Sequence, residues 1–134
     1  MAFNLLFVCV ENSCRSQMAE GWARAIGENL GVRAWSCGSE PSGRVNPDAV
    51  TAMQEAGIDI SGQTSTGADS LPSALEFDAV VAMGCGDRCP RVNAKRVEDW
   101  PIPDPKNGGP EVFAEVRGEI RRRVQHLIDQ LTTP

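Results

Sequence analysis

The sequence predicts an α/β fold, a four-stranded parallel sheet in the order 2-1-3-4 with helices on both faces. Three observations predict it. Residues 5–8 and 79–83 are apolar without alternation, as in strands covered on both sides. Helical stripes fall between the strand-like runs. Glycines punctuate the joints at Gly27, Gly31, Gly38 and Gly57. Strands alternating with helices imply parallel βαβ units with right-handed crossovers.

Residues 4–8, Asn-Leu-Leu-Phe-Val, read as the first strand. A helix follows from about Ser16, with Ser16 as its cap. Met18, Ala19, Trp22, Ala23 and Ile26 share one face at helical spacing. Residues 32–37 form a second strand that Gly38 stops. Residues 39–45 are a Ser/Gly/Pro loop. Pro47 suits the first turn of a helix running to Ala56 and closed by Gly57. Residues 61–69 are polar loop, and residues 70–75 suit a short helix. Residues 77–83 are the third strand and residues 96–100 a short edge strand. The last helix spans residues 111–131, with Phe113, Val116, Ile120, Val124, Leu127 and Leu131 as its core stripe.

The chain has 134 residues, which suits one domain over 1–134. A formal charge of −5 argues against nucleic acid or an anionic membrane as partner. No apolar run approaches the roughly 20 residues that span a bilayer. The N-terminus lacks the marks of a signal peptide. The expectation is a cytoplasmic monomer. Five cysteines, Cys9, Cys14, Cys37, Cys85 and Cys89, are an odd count. In a reducing compartment they serve as ligands, redox groups or core filler. His126 is the lone histidine, and it lies far along the last helix. Trp22, Trp35 and Trp100 read as packing residues.

The chemistry concentrates between the first strand and the first helix. Cys9 is followed by Val10, Glu11, Asn12, Ser13, Cys14, Arg15 and Ser16. A loop entering a helix presents successive backbone N–H groups to one anion. Arg15 adds a planar fork of donors matched to a tetrahedral oxyanion. The same positive surroundings favour a thiolate at Cys9, the expected nucleophile. Asn12 suits a left-handed position. Ser16 is placed to donate to the sulfur. Cys14 lies in the loop, with a side chain that fits the core.

Doubly wound sheets bind ligands beyond the carboxyl ends of their strands, where the winding reverses. That point lies between the first and third strands. Cys9 leaves one and Cys85 leaves the other. Asp104, held between Pro103 and Pro105 after the fourth strand, reaches the same edge and suits a proton donor to a leaving oxygen. Cys85 and Cys89 are four residues apart, close enough for a disulfide. A relay to Cys9, a structural metal and inert thiols are the readings of this pair. Zinc generally wants four ligands, which weighs against the metal. Gly84 and Gly86 give the segment freedom to move.

Residues 7–16, continuing Gln17-Met18-Ala19-Glu20-Gly21, resemble the low-molecular-weight tyrosine phosphatase superfamily. More narrowly, the chain is similar to the arsenate reductases built on that fold. Ser36-Cys37-Gly38, Asn46-Pro47-Asp48-Ala49, Gly57-Ile58-Asp59-Ile60-Ser61, Met83-Gly84-Cys85-Gly86-Asp87, Glu98-Asp99-Trp100 and Asp104-Pro105 carry the narrower likeness. The resemblance implies attack of Cys9 on arsenate held by the loop and Arg15, with Asp104 protonating the departing oxygen. It implies a second thiol, Cys85 or Cys89, that attacks Cys9 while arsenic takes two electrons. The Cys85–Cys89 pair would then go to an external reductant: thioredoxin, glutaredoxin with glutathione, or another small thiol. No tightly bound cofactor is implied. Some relatives bind potassium through residues matching Asn12, Glu20 and Ser36. Thr66 stands where such relatives often carry an acid.

Two other functions fit parts of this pattern. A phosphatase would share the loop, but phosphotyrosine enzymes of this fold usually place aromatic residues after the Asp-Pro pair. Here Lys106 and Asn107 follow, and the chain has no tyrosine. Phosphorus(V) does not oxidise thiols, so two further cysteines would serve no purpose there. A non-enzymatic sensor of phosphate or arsenic species would need no general acid, so Asp104→Asn separates it from both enzymes.

Overall fold

The computed structural model describes residues 2–85, 89–90 and 92–133. Strands β1 (Phe3–Cys9), β2 (Val32–Gly38), β3 (Ala79–Ala82) and β4 (Val97–Asp99) form one parallel sheet in the order β2-β1-β3-β4. This is the predicted topology. Helices α1 (Arg15–Gly27), α2 (Pro47–Glu55) and α3 (Gly109–Thr132) connect and cover it. Phe7 lies opposite Ser36 on one side and Val81 on the other, and Cys9 lies opposite Gly38. The central strand is thus paired on both edges, and its last five residues are buried.

Alternation along β1 divides the core in two. Leu5, Phe7 and Cys9 join Ala34, Ala79 and Val81 in one apolar cluster with the buried faces of α1, α2 and α3. Leu6 and Val8 join Cys37, Phe77, Val80 and Cys85 in a second cluster. The second face carries the 3-10 helix Ala68–Ser70 and irregular chain. The helix expected at residues 70–75 is this shorter turn, two residues earlier. Pro72 explains the shift, because the residue before proline is forced into extended geometry, and Leu71 has ψ 150°.

Other boundaries moved for local reasons. Ser16 is not the cap of α1. Cys14 holds that position without a side-chain bond, and the helix begins at Arg15. The Ser16 hydroxyl is engaged inside the site instead. Asn46 caps α2 by accepting from the Asp48 N–H, with Pro47 at the first turn. On α3 the stripe is as read, with Ile128 also fully buried and Leu131 at its margin. The tryptophans pack: Trp100 lies 6.0 Å from Phe7 and Trp35 lies 5.7 Å from Phe77, centroid to centroid. His126 is exposed. Among the described residues, no helix is long and apolar enough to cross a membrane.

One glycine carries a large share of the sheet's edge geometry. A Cβ on Gly38 would lie 2.6 Å from the Val10 carbonyl oxygen and 3.0 Å from the Asn12 nitrogen. The residues after β1 can pack on the end of β2 only because no side chain stands there. Gly38→Ala therefore overpacks a backbone contact. It should lower unfolding free energy by about 1–3 kcal/mol, read as a lower urea midpoint at unchanged m-value.

Candidate active site

The segment from Cys9 to Cys14 is held by its carbonyls. Ser39 N–H donates to the Cys9 oxygen at 3.3 Å, and Glu40 N–H to the Val10 oxygen at 2.8 Å. The Glu11 oxygen accepts from Ser42 N–H at 2.9 Å and from the Ser65 hydroxyl at 3.0 Å. Gln17 Nε2 donates to the Asn12 oxygen at 3.0 Å. Asn46 N–H takes the Ser13 oxygen, and Met18 N–H the Cys14 oxygen. Each of these carbonyls is drawn toward surrounding chain. Among the described residues no acceptor is found for the amides of residues 11–14, which remain the loop's free donors.

Asn12 has φ 52°, the left-handed position expected of it. Its side chain also reaches Cys9 through Ser16. Thr66 N–H donates to Asn12 Oδ1 at 2.9 Å, which fixes the amide so that Nδ2 points to Ser16. Nδ2 donates to Ser16 Oγ at 2.8 Å, and Ser16 Oγ lies 2.9 Å from Cys9 Sγ. The Asn12 bond fixes the serine oxygen beside the sulfur, where its hydroxyl can donate to a Cys9 thiolate.

Cys9, Val10, Glu11, Ser13, Cys14, Arg15 and Asp104 line one cavity of about 20 Å³. On that measure it is a small recess, about the space of a single water. Arg15 is mostly buried. It donates to the Ile102 carbonyl at 3.0 Å, and its other nitrogen stands 3.8 Å from Asp104 Oδ2. Asp104 Oδ1 accepts from Lys106 N–H at 3.1 Å. The Asp104 carboxyl is half-exposed, so it meets both the cavity and water. The expected assembly of Cys9, Arg15 and Asp104 at one sheet edge is therefore present.

Cys85 and Cys89 are joined as a disulfide, with Cα atoms 5.2 Å apart, while Cys9, Cys14 and Cys37 are free thiols. Simple alternation along β3 would place Cys85 on the Cys9 face, with Val81 and Met83. Gly84 intervenes at φ 90° and turns the chain, so Cys85 packs in the second cluster with Val8 and Cys37. The three sulfurs share a sheet edge but lie on opposite faces. Gly84 also leaves room for Arg15. A Cβ there would stand 2.5 Å from Nη1. The freedom expected of Gly86 falls outside the described residues.

Cys14 lines the cavity and belongs to the core as well. Burial pushes its thiol up to about 11, opposed by a hydrogen bond from Ser13. Cys37 is pushed up to about 12, chiefly by burial. The potassium ligands implied by resemblance are otherwise engaged. Glu20 Oε1 accepts from Ser36 Oγ at 2.6 Å, and Oε2 pairs with Arg24 at 2.7 Å. Asn12 Oδ1 is taken by Thr66. A guanidinium thus fills the charge position a cation at Glu20 would take, and this donor set does not fit the ion.

Sequence reasoning missed the residues that hold the site from behind: Ile102, Ser65, Thr66 and Gln17. Their roles are carbonyl and amide contacts across 47 to 87 positions in all but one case, and no spacing rule encodes those. Lys106 was read only as a non-aromatic residue after Asp-Pro. Its Nζ donates to Glu11 Oε1 at 3.0 Å and Oε2 at 3.3 Å.

The two raised thiols predict a pH dependence. An unfolded cysteine ionises near 9, whereas these ionise about 11 and 12 when folded. Their neutral burial stabilises the fold fully below pH 9 and progressively less as pH rises toward 11 and 12. The urea midpoint should fall from pH 8.5 to 11, and less steeply in a Cys14→Ala/Cys37→Ala variant.

The family model for low molecular weight phosphotyrosine protein phosphatase matches residues 4–134. The chain is 44% identical over 131 residues to a protein named glutaredoxin arsenate reductase from Synechocystis sp., covering 96% of this chain and 98% of that one. It is 44% identical over 137 residues to an arsenate reductase of Bacillus subtilis, covering 93% and 94%. A solved structure described as an arsenate reductase in the phosphate binding state superposes with a TM-score of 0.83 at 41% identity, covering 96% and 98%. The chain belongs to the low molecular weight phosphotyrosine protein phosphatase family.

Proposed function

We propose that this protein is an arsenate reductase in which Cys9 is the nucleophile and Cys85 and Cys89 form the thiol relay. One observation carries the reading. A bridged cysteine pair sits just beyond β3, while a free thiol ends the neighbouring strand inside a cavity lined by the loop, Arg15 and Asp104. Relatives named arsenate reductases match nearly the full length, which supports the same chemistry here.

This reading gives a balanced sequence of bonds. Cys9 attacks arsenic(V), with the anion held by the amides of residues 11–14 and by Arg15. A sulfur–arsenic bond forms, and one oxygen leaves as water with a proton from Asp104. A second thiol then attacks Cys9 Sγ. A disulfide forms, the sulfur–arsenic bond breaks, and its electron pair reduces arsenic to the trivalent state. Two thiols lose two electrons and arsenic gains them.

Cys85 is buried directly after the Gly84 turn, and Cys89 is half-buried. We assign the first attack to Cys85 and the second to Cys89, which frees Cys9 and leaves the pair bridged. Rotation about Gly84 brings Cys85 around the sheet edge to Cys9. The bridged pair with Cys9 free is then the state that meets an external thiol donor. The name of the Synechocystis relative supports a donor of the glutaredoxin class. A phosphotyrosine ring gains nothing from Lys106 and Asn107, which follow the Asp-Pro pair.

Asp104→Asn should cut arsenate turnover about 10²–10⁴-fold in a coupled thiol-donor assay. Cys85→Ser should abolish arsenite release even in a single turnover but keep slow hydrolysis of p-nitrophenyl phosphate. Cys89→Ser should stop after one turnover with a Cys9–Cys85 disulfide visible by peptide mass mapping. A Cys9–Cys89 bridge in the wild-type burst would reverse the assigned order. Gly84→Ala should impair both activities, because it crowds Arg15 and removes the turn.

A further inference from the structure

Glu11 is an anomaly. It lines a cavity suited to an oxyanion, and it carries a carboxylate in a loop whose other polar groups favour negative charge. A dianion approaching that loop meets like charge, and like charges at close range repel through the same law that makes ion pairs attract. Lys106 answers it across 95 positions of sequence, with Nζ against both Glu11 oxygens.

We infer that Lys106 is a positioning residue for oxyanion capture, acting through Glu11 to cancel its charge and to tie the Asp104 turn across the cavity mouth. The inference rests on the oxyanion chemistry proposed above. The turn that presents Lys106 is well defined. Gly108 N–H donates to the Pro105 carbonyl at 2.8 Å, and Asn107 takes φ 65° at its second corner. Lys106 N–H meanwhile bonds Asp104 Oδ1. One residue thus contacts the Asp104 carboxylate through its backbone and the loop carboxylate through its side chain. The amino group is held above the ordinary lysine range, first by the Glu11 hydrogen bond and charge, with smaller contributions from Asp104 and Cys14.

Both side chains are substantially exposed, so the pair does little for folding. Its effect belongs to the anion. The test measures how inorganic phosphate protects Cys9 from iodoacetamide in the reduced, full-length protein. Lys106→Gln should raise the half-protecting phosphate concentration about threefold to fivefold at low salt. The difference should vanish near 1 M NaCl, where screening extends only about 3 Å. Lys106→Arg should behave as wild type. Lys106→Gln/Glu11→Gln should return close to wild type, because the repulsive charge is gone. A role limited to holding the turn would give neither the salt dependence nor the rescue. Unchanged protection in Lys106→Gln overturns the inference. A double variant as weak as Lys106→Gln overturns the route through Glu11. Protection absent in the wild type would instead sink the oxyanion reading itself.

Discussion

Carbonyl anchoring of the Cys9–Cys14 segment is the constraint on which the site depends. An anion-binding loop needs its N–H groups free and convergent, and a peptide unit can turn its N–H inward only if its carbonyl turns outward. Here six consecutive carbonyls have partners in surrounding chain, from Ser39, Glu40, Ser42, Asn46, Ser65, Gln17 and Met18. Residues 39–46 look like a simple connection in sequence. They form the frame that fixes the peptide planes of the loop. Glycine at 38 completes that frame by letting the two backbones meet.

The same logic extends to Arg15. Five donors on a planar guanidinium serve an anion only when the plane is held. The Ile102 carbonyl fixes one nitrogen, Asp104 lies near another, and the absent side chain of Gly84 leaves the space they need. Arg15, Asp104 and the end of the third strand are therefore mechanically connected. Overall charge is negative, so attraction of an oxyanion has to come from these oriented local groups.

The fold was largely legible because burial on both faces leaves a clear mark. Residues 5–8 and 79–83 are apolar throughout, and sheet order followed from alternation with helices. Cys9, Arg15 and Asp104 were legible because each sits at the carboxyl end of a strand or in the loop after it. Ser16 misled as a cap, since a serine before a helical stripe carries the same letter whether its hydroxyl bonds a backbone amide or a sulfur. The face taken by Cys85 was not legible either. Counting by twos from Val81 puts it beside Cys9, and only the positive φ of Gly84 reverses that. Glu20 entered through resemblance, as a ligand to potassium, yet it is buried against Ser36 and Arg24.

That reversal bears on how one fold can host two chemistries. Binding and attack at the cavity concern only the face that holds Cys9. They would serve an ester as readily as arsenate. Electron transfer needs sulfurs that reach Cys9 and then withdraw, because once the pair is bridged a Cys9 thiolate permanently beside it would exchange back. Placing Cys85 and Cys89 under the opposite face, with Gly84 as the joint, meets both demands. The sheet itself, with Val8 and Val10 on the second side, acts as the insulator. Reduction chemistry is thus added to a phosphatase-like scaffold by what happens after β3, and the anion loop need not change.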